Sequence, residues 1–273
     1  MGTPTMLIKR IQSREMELFR AFISVCEKLE LPYFLNAGTM LGAVRHNGFI
    51  PWDDDIDVAM LRSDYEIFLS RAQELLPENM FLQTIDTDPE YLHNFAKIRH
   101  NETTFIESSV KSRHIHHGLY LDIFPLDYYP DSLLARTLFQ IKNKLYNHRI
   151  ACEFDGLKFP GYYKSIHMLL RMLYPSVSTA LRKRDKLFKK CKSGTYIANY
   201  CSGWGEKEIV PAQWYRSAVS MEFEGVSVFV PVEYDAWLTQ VYGNYMQLPP
   251  VEKRVTHHYT EVIDLDTPYT QYI

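Results

Sequence analysis

Along residues 7–30, apolar side chains fall at Leu7, Ile11, Leu18, Phe22, Val25 and Leu29, mostly three, four or seven apart, with Arg, Lys and Glu between them. That period marks one face of a helix, which Pro32 would end. Residues 33–35 then read as a short apolar strand leading to the small-residue turn Ala37-Gly38-Thr39, and 40–44 as a short helix starting at that turn. Pro51-Trp52 is expected to open the next strand, which would carry Asp53, Asp54, Asp55 and Asp57 into Val58-Ala59-Met60. Ser63 or Asp64 would cap a helix over 65–76, stopped by Pro77. Strands are expected over 81–83, 95–99 and 119–124, the last ending before Pro125. Helices and strands interleaved in this order predict an α/β (α+β) fold with a mixed sheet.

The pattern changes after Asp131. Residues 132–150 and 162–192 read as helices rich in leucine and basic residues, punctuated by Pro160-Gly161 and Pro175. Arg182, Lys183, Arg184, Lys186, Lys189, Lys190 and Lys192 form a basic run at the end of that region. Strands return at 196–198 and 226–230, and a last helix over 234–242 would stop at Gly243-Asn244. With no repeat and no low-complexity linker, the division expected is a core over 1–130, a helical insertion or lobe over 131–195, and a C-terminal segment over 196–273 that completes the cleft of the core.

Composition narrows the class. A chain of 273 residues with 46% hydrophobic and 23% charged residues is globular, and a net charge of −3 gives no pull toward nucleic acid. Cys26, Cys152, Cys191 and Cys201 form no CxxC pair, which argues against zinc and for a reduced compartment. No apolar run of about 18 residues and no N-terminal apolar leader is seen, so a cytoplasmic protein is expected. The sequon Asn101-Glu102-Thr103 is then a chance match.

The chemistry concentrates in residues 36–60. Like charges about 4 Å apart cost about 4 kcal/mol per pair at an effective dielectric near 20, so four clustered aspartates call for a cation. In extended chain, Asp53, Asp55 and Asp57 share a face. Asp55 and Asp57 then form the pair suited to Mg2+, with Mn2+ as the alternative, while Asp53 helps and Asp54 is structural. Asp122, between Leu121 and Ile123, is a candidate third carboxylate. Two other readings are an EF-hand loop, which lacks its turn glycine at Val58 and its terminal glutamate at Asp64, and a solvated acidic turn. The upstream turn favours a phosphate site: Gly38 and Thr39 at a helix N-terminus offer amides and a hydroxyl, and Arg45 and Lys97 can add charge-assisted contacts. Phosphate donors beside a carboxylate pair describe metal-assisted phosphoryl or nucleotidyl transfer.

The run from Gly38 through Arg45-His46, then Gly48-Phe49-Ile50-Pro51-Trp52-Asp53-Asp54-Asp55-Ile56-Asp57, resembles the signature of the LicD family. These are bacterial phosphocholine transferases with a nucleotidyltransferase fold, distantly similar to fukutin and fukutin-related protein. The resemblance continues at Phe95-Ala96-Lys97-Ile98, from Gly118 to Asp127, and from Tyr242 to Arg254. It implies that Gly38 and Thr39 grip donor phosphates, that Asp55 and Asp57 hold metal, and that Asp122 is the third carboxylate. Arg45 and Lys97 would steady phosphate oxygens. His46 and Trp52, in a loop longer than the usual nucleotidyltransferase gap, would contact the donor. Arg254 and His257 or His258 would close over the site.

The implied reaction moves phosphocholine from CDP-choline to a hydroxyl of a glycan or lipid-linked glycan acceptor, such as a teichoic-acid or lipopolysaccharide precursor, and releases CMP. Asp122 or a nearby acid or histidine would be the base, and choline would need an aromatic box. Alternatives are transfer of another phospho-alcohol or a nucleotidyl group, or a non-catalytic metal- or glycan-binding scaffold. The basic run over 182–192 reads either as a solvated helix face or as a contact with the inner face of a membrane. His114, His116 and His117 read as surface histidines with the wrong spacing for zinc.

Overall fold

The apolar stripe of the first helix, α1 (Pro4–Leu29), buries Ile11, Leu18, Phe22 and Val25 as its spacing requires. In the computed structural model, which describes residues 4–157, 160–161, 164–256 and 258–273, α1 lies across a mixed sheet. The first strands and helices are β1 (Phe34–Leu35), α2 (Ala37–His46), β2 (Asp57–Leu61), α3 (Arg62–Leu75) and β3 (Met80–Gln83). They are followed by β4 (Ala96–His100), β5 (Thr104–Glu107) and β6 (Tyr120–Tyr129). The sheet runs β1-β2-β6-β4-β3, with β2 and β6 parallel and the other neighbours antiparallel. β6 is buried along almost its whole length, as a strand covered on both faces must be.

The last residues of β6 pair with β7 (Tyr196–Ala198), which pairs with β8 (Ile209–Pro211), so the chain beyond the helices extends the same sheet. A hairpin, β9 (Ala218–Phe223) and β10 (Val226–Pro231), and helix α7 (Tyr234–Tyr242) bury Phe223, Val228 and Trp237 in one core with α1 and the sheet. The final strand, β11 (Thr260–Asp264), returns to pair with β5. Three helices, α4 (Leu133–Ala151), α5 (Lys164–Leu173) and α6 (Val177–Phe188), form a lobe that packs through smaller apolar clusters shared with the rest of the chain, Ile150 and Leu181 with Leu92, Val110 and Ile115, and Phe139 and Phe188 with Tyr129.

Several local expectations change. α2 begins at Ala37 rather than at 40, and β2 begins at Asp57, so residues 53–56 form an extended loop instead of a strand. α3 has Leu61 at its N-cap and no side-chain cap from Ser63 or Asp64. β6 continues through Pro125, which lies between the end of pairing with β4 at Ile123 and the start of pairing with β7 at Asp127. A proline is tolerated at such a break because that edge needs no donor there. Residues 162–192 divide into α5 and α6 around Pro175, and 162–163 lie outside the described residues. His116 and His117 are buried, not on the surface. His116 stacks on Phe81 and bonds Asn101, and His117 bonds the Arg113 carbonyl, so neither joins a metal cluster.

Candidate active site

The site begins where β1 turns into α2. Ala37 has φ of 44°, a left-handed conformation that costs an alanine about 1 kcal/mol, and it folds the helix start directly against the strand. The Asn36 side chain makes no cap bond, so amides of the first turn remain open at Gly38, which lines a cleft of about 740 Å³. Thr39 behaves otherwise. It is buried, and its Oγ1 accepts the Asp57 N–H at 2.8 Å, while the Asn36 N–H donates to the Asp57 carbonyl at 3.0 Å. What Thr39 supplies in this structure is the position of Asp57.

Asp54 and Ile56 point inward and are buried, whereas Asp53, Asp55 and Asp57 line the cleft. The alternation expected for a strand therefore survives in a loop, because extended chain has the same two-residue period. Parallel pairing sets Asp57 of β2 opposite Asp122 of β6, and antiparallel pairing sets Lys97 of β4 on the other side of Asp122. Lys97 Nζ lies 2.9 Å from Asp122 Oδ1 and 3.3 Å from the Tyr120 ring centroid.

Positive charge is scarce here. Burial, then Asp55, Asp122 and Asp53, push the Asp57 carboxyl well above the usual range against the pull of Lys97. Burial, then Asp55 and Asp54, do the same to Asp53. Asp122 is also raised by burial, with Lys97 opposing.

Two further groups complete this electrostatic picture: Glu15, which no motif marked, and His258, one of the two tail histidines expected to close over the site. Glu15 of α1 is buried with no hydrogen-bond partner for either oxygen, and burial followed by the charges of Asp55, Asp54, Asp53 and Asp57 pushes it well up. An acid at the fifteenth position, on the apolar stripe between Ile11 and Leu18, was the available signal. His258 bonds Asp54 Oδ1 through Nδ1 at 3.0 Å and lies 3.7 Å from Asp55 Oδ2. Burial would lower His258, but the bond to Asp54 and the charges of Asp55, Asp54 and Glu107 outweigh it and push it up to about 9. It is therefore a cationic partner at neutral pH. His257 lies outside the described residues.

Lys97 and Asp122 line a second space of about 270 Å³, together with His93, Glu107 and Tyr120. Asp57, Trp204 and His258 border both spaces, so the cleft has two chambers that meet at Asp57. In the larger chamber, Arg45 donates to the Tyr245 carbonyl at 2.7 Å and to His46 Nε2 at 2.9 Å. Arg254 donates to the Pro249 carbonyl and sits 5.5 Å from the Trp52 ring centroid. Burial and then Arg254 lower Arg45. Among the described residues neither guanidinium pairs with a carboxylate, and Arg45 and Lys253 line the large chamber, which therefore offers cations to an anion. The carboxylates offer only hard oxygen donors, which fit Mg2+ far better than a soft metal.

Residues 30–164 match the LicD/FKTN/FKRP nucleotidyltransferase domain. This segment belongs to the LicD family. It contains Gly38, the aspartate loop, Lys97 and Asp122, whereas Trp204, Tyr242, Lys253 and His258 of the cleft come from beyond the matched LicD segment. Nearly the whole chain is similar to the lipopolysaccharide cholinephosphotransferase LicD of Haemophilus influenzae, at 29% identity over 93% of this chain and 98% of that protein. A shorter stretch is 40% identical over 48 residues to the human ribitol 5-phosphate transferase FKRP, covering 18% of this chain and 10% of that one. Another is 47% identical over 51 residues to the uncharacterised protein RP689 of Rickettsia prowazekii, covering 19% and 18%. With its LicD domain and this full-length likeness, the chain is a phosphotransferase.

Proposed function

We propose that this LicD-family chain transfers phosphocholine from CDP-choline to a hydroxyl of a glycan or lipid-linked glycan acceptor and releases CMP. The observation that carries the reading is the junction of the two chambers, where Asp57 and Asp122 stand side by side on parallel strands between an arginine-bearing space and a lysine-bearing one. Asp55, Asp57 and Asp122 would hold Mg2+. Bound there, the ion would supply neutralisation of the charge that builds on the diphosphate as CMP leaves.

The protein's own groups do the rest. Arg45, Arg254 and the amides at Gly38 hold diphosphate oxygens in the larger chamber, with His46 fixing the Arg45 side chain and Trp52 stacked under Arg254. Trp204 and Tyr242, edge to face with centroids 4.9 Å apart, wall that chamber and provide aromatic faces for the choline cation. The acceptor hydroxyl enters beside Asp122, whose carboxylate takes its proton as the oxygen forms a bond to the choline-bearing phosphorus. The bond from that phosphorus to the CMP oxygen breaks. Lys97 opposes the effect of burial on Asp122 and orients it for this step.

Incubation with labelled CDP-choline, CDP-ribitol and CTP, with glycan acceptors and with or without Mg2+, tests the reading. Mg2+-dependent CMP release from CDP-choline is expected, and Asp57→Asn should lower it at least ~100-fold, as loss of a group acting at the transition state does. The likeness to FKRP gives CDP-ribitol a specific claim as the alternative donor, and its selective consumption would replace choline in the proposal. If no donor is consumed and Asp55→Ala and Asp57→Ala leave the biological activity intact, a binding scaffold takes its place.

A further inference from the structure

The helical lobe exposes apolar surface that its own packing does not use. On α4, Leu134, Leu138, Ile141 and Leu145 recur at helical spacing and are 72%, 50%, 51% and 41% exposed. On the neighbouring α5, Met168, Leu169, Met172 and Leu173 are 65%, 55%, 74% and 57% exposed. The two helices pack against each other, with His148 of α4 and His167 of α5 at 4.7 Å between ring centroids. Eight large apolar side chains this open on two packed helices form the kind of surface that marks an interaction site.

Charge identifies what covers this face. α4 and α5 contain no Asp or Glu, and every charged residue in them is basic. Lys142 and Lys144 beside the α4 stripe are exposed, and Arg171 on α5 is exposed and lies 3.8 Å from Glu153 Oε1. Two copies meeting on this face would bring like charges together, whereas anionic headgroups around an apolar interior satisfy both features. The basic run over 182–192 is the weaker anchor. Arg184 is buried on Asn143 and the Tyr200 carbonyl, Arg182 pairs with Asp86, and Lys189 pairs with Glu66 and Asp185, leaving Lys183, Lys186, Lys190 and Lys192 to add positive field. No helix among the described residues is long and apolar enough to cross a membrane, and α5, at 10 residues, reaches only about 15 Å.

We propose that the α4–α5 face lies in the plane of an anionic bilayer and seats the enzyme on it. The surface stands on its own exposures. It rests on the transfer reading only in that a lipid-linked acceptor would then be delivered at the membrane.

The test is co-sedimentation of the full chain with phosphatidylglycerol–phosphatidylcholine vesicles and with phosphatidylcholine alone. Binding is expected to the anionic vesicles, with at least a tenfold loss in the variant Leu169→Glu/Met172→Glu, and Leu169→Trp should be quenched by brominated lipid. Unchanged binding by the glutamate variant, no binding by the parent chain at low salt, or an unquenched Leu169→Trp would each overturn the proposal. So would a parent dimer in light scattering that the glutamate variant abolishes while vesicles capture neither protein. CDP-choline turnover on a soluble acceptor, measured on the same preparations, separates the two ideas. Vesicle binding without turnover counts against the transfer reading alone, and turnover without vesicle binding counts against this surface alone.

Discussion

At Gly38, an added methyl group would lie 2.8 Å from Asp53 Oδ2, and Asp53 would have to leave its place on the cleft wall. Gly38→Ala should therefore lower kcat/KM about tenfold, as small displacements of reacting groups do, while the melting temperature stays within a few degrees. Glu107 offers a test with a defined sign. Burial would raise its carboxyl, but Lys97 and Arg99 hold it down to about 2 from an ordinary 4.5. A lowered folded-state value means that its stabilisation is complete above pH 4.5 and disappears as pH falls toward 2. At about 1.4 kcal/mol per unit, about 3 kcal/mol is at stake. Urea unfolding midpoints measured across that window should fall in the parent chain and flatten in Glu107→Gln. The sequence disclosed residues of this kind unevenly. Asp55, Asp57 and Asp122 stood out because acids interrupted apolar strands, whereas Thr39 looked like a ligand-facing hydroxyl. Its partner is an amide of the chain, which only the turn geometry places within 2.8 Å.

Among the elements, α7 and β4 were legible because each carries its own period and ends on its own signal, Gly243 for the helix. β5, β8, β9 and β11 were not expected. β9 does alternate, Val219, Met221 and Phe223 turning to the core and Ala218, Ser220 and Glu222 away from it, a strand signal left unread, whereas β5 and β11 are short segments made regular by each other across more than half the chain. The late start of β2 has a similar cause, since Asp57 is the first residue that pairs with β6, and the acids before it have no neighbour strand. Close approach between elements is equally invisible in one dimension. Gly42 of α2 faces the loop before β2, and a Cβ there would sit 2.5 Å from the Gly48 carbonyl and 3.2 Å from the Ile50 amide. Backbone cannot retreat as a flexible side chain can. Gly42→Ala should cost about 2 kcal/mol, read as a drop in the urea midpoint without change in slope.

The whole molecule shows why the fold class was readable and the cleft only in part. Interleaved helices and strands announce a mixed α/β core, and the family-matching motifs mark one wall of the site. The other wall comes from Gly203-Trp204, which no motif marks, and from Tyr242, Asn244, Tyr245, Lys253 and His258, in the tail that the resemblance expected to close over the site but that nothing local ties to the aspartates. A chain ending after Pro250 loses Arg254, His258 and β11. It should retain helical circular dichroism but lose at least ~100-fold in metal-dependent donor turnover, because positioning groups act together.

Among the described residues, the segment from Arg45 to Asp54 is tied to distant parts of the chain by four bonds that involve side chains: Gln12 to Asp53, Glu224 to Phe49, Arg45 to Tyr245 and His258 to Asp54. They span 41, 175, 200 and 204 positions of sequence. On a ribosome adding about 5–20 residues per second, the acids emerge roughly 10–40 s before their histidine exists. The nascent loop is thus a cluster of repelling charges with three of its four clamps still unmade, and the part of the protein synthesised early is the part completed last. Refolding from urea should show the same order, with far-ultraviolet dichroism returning before donor turnover. A counter-ion present during refolding should narrow the gap by standing in for the missing tail.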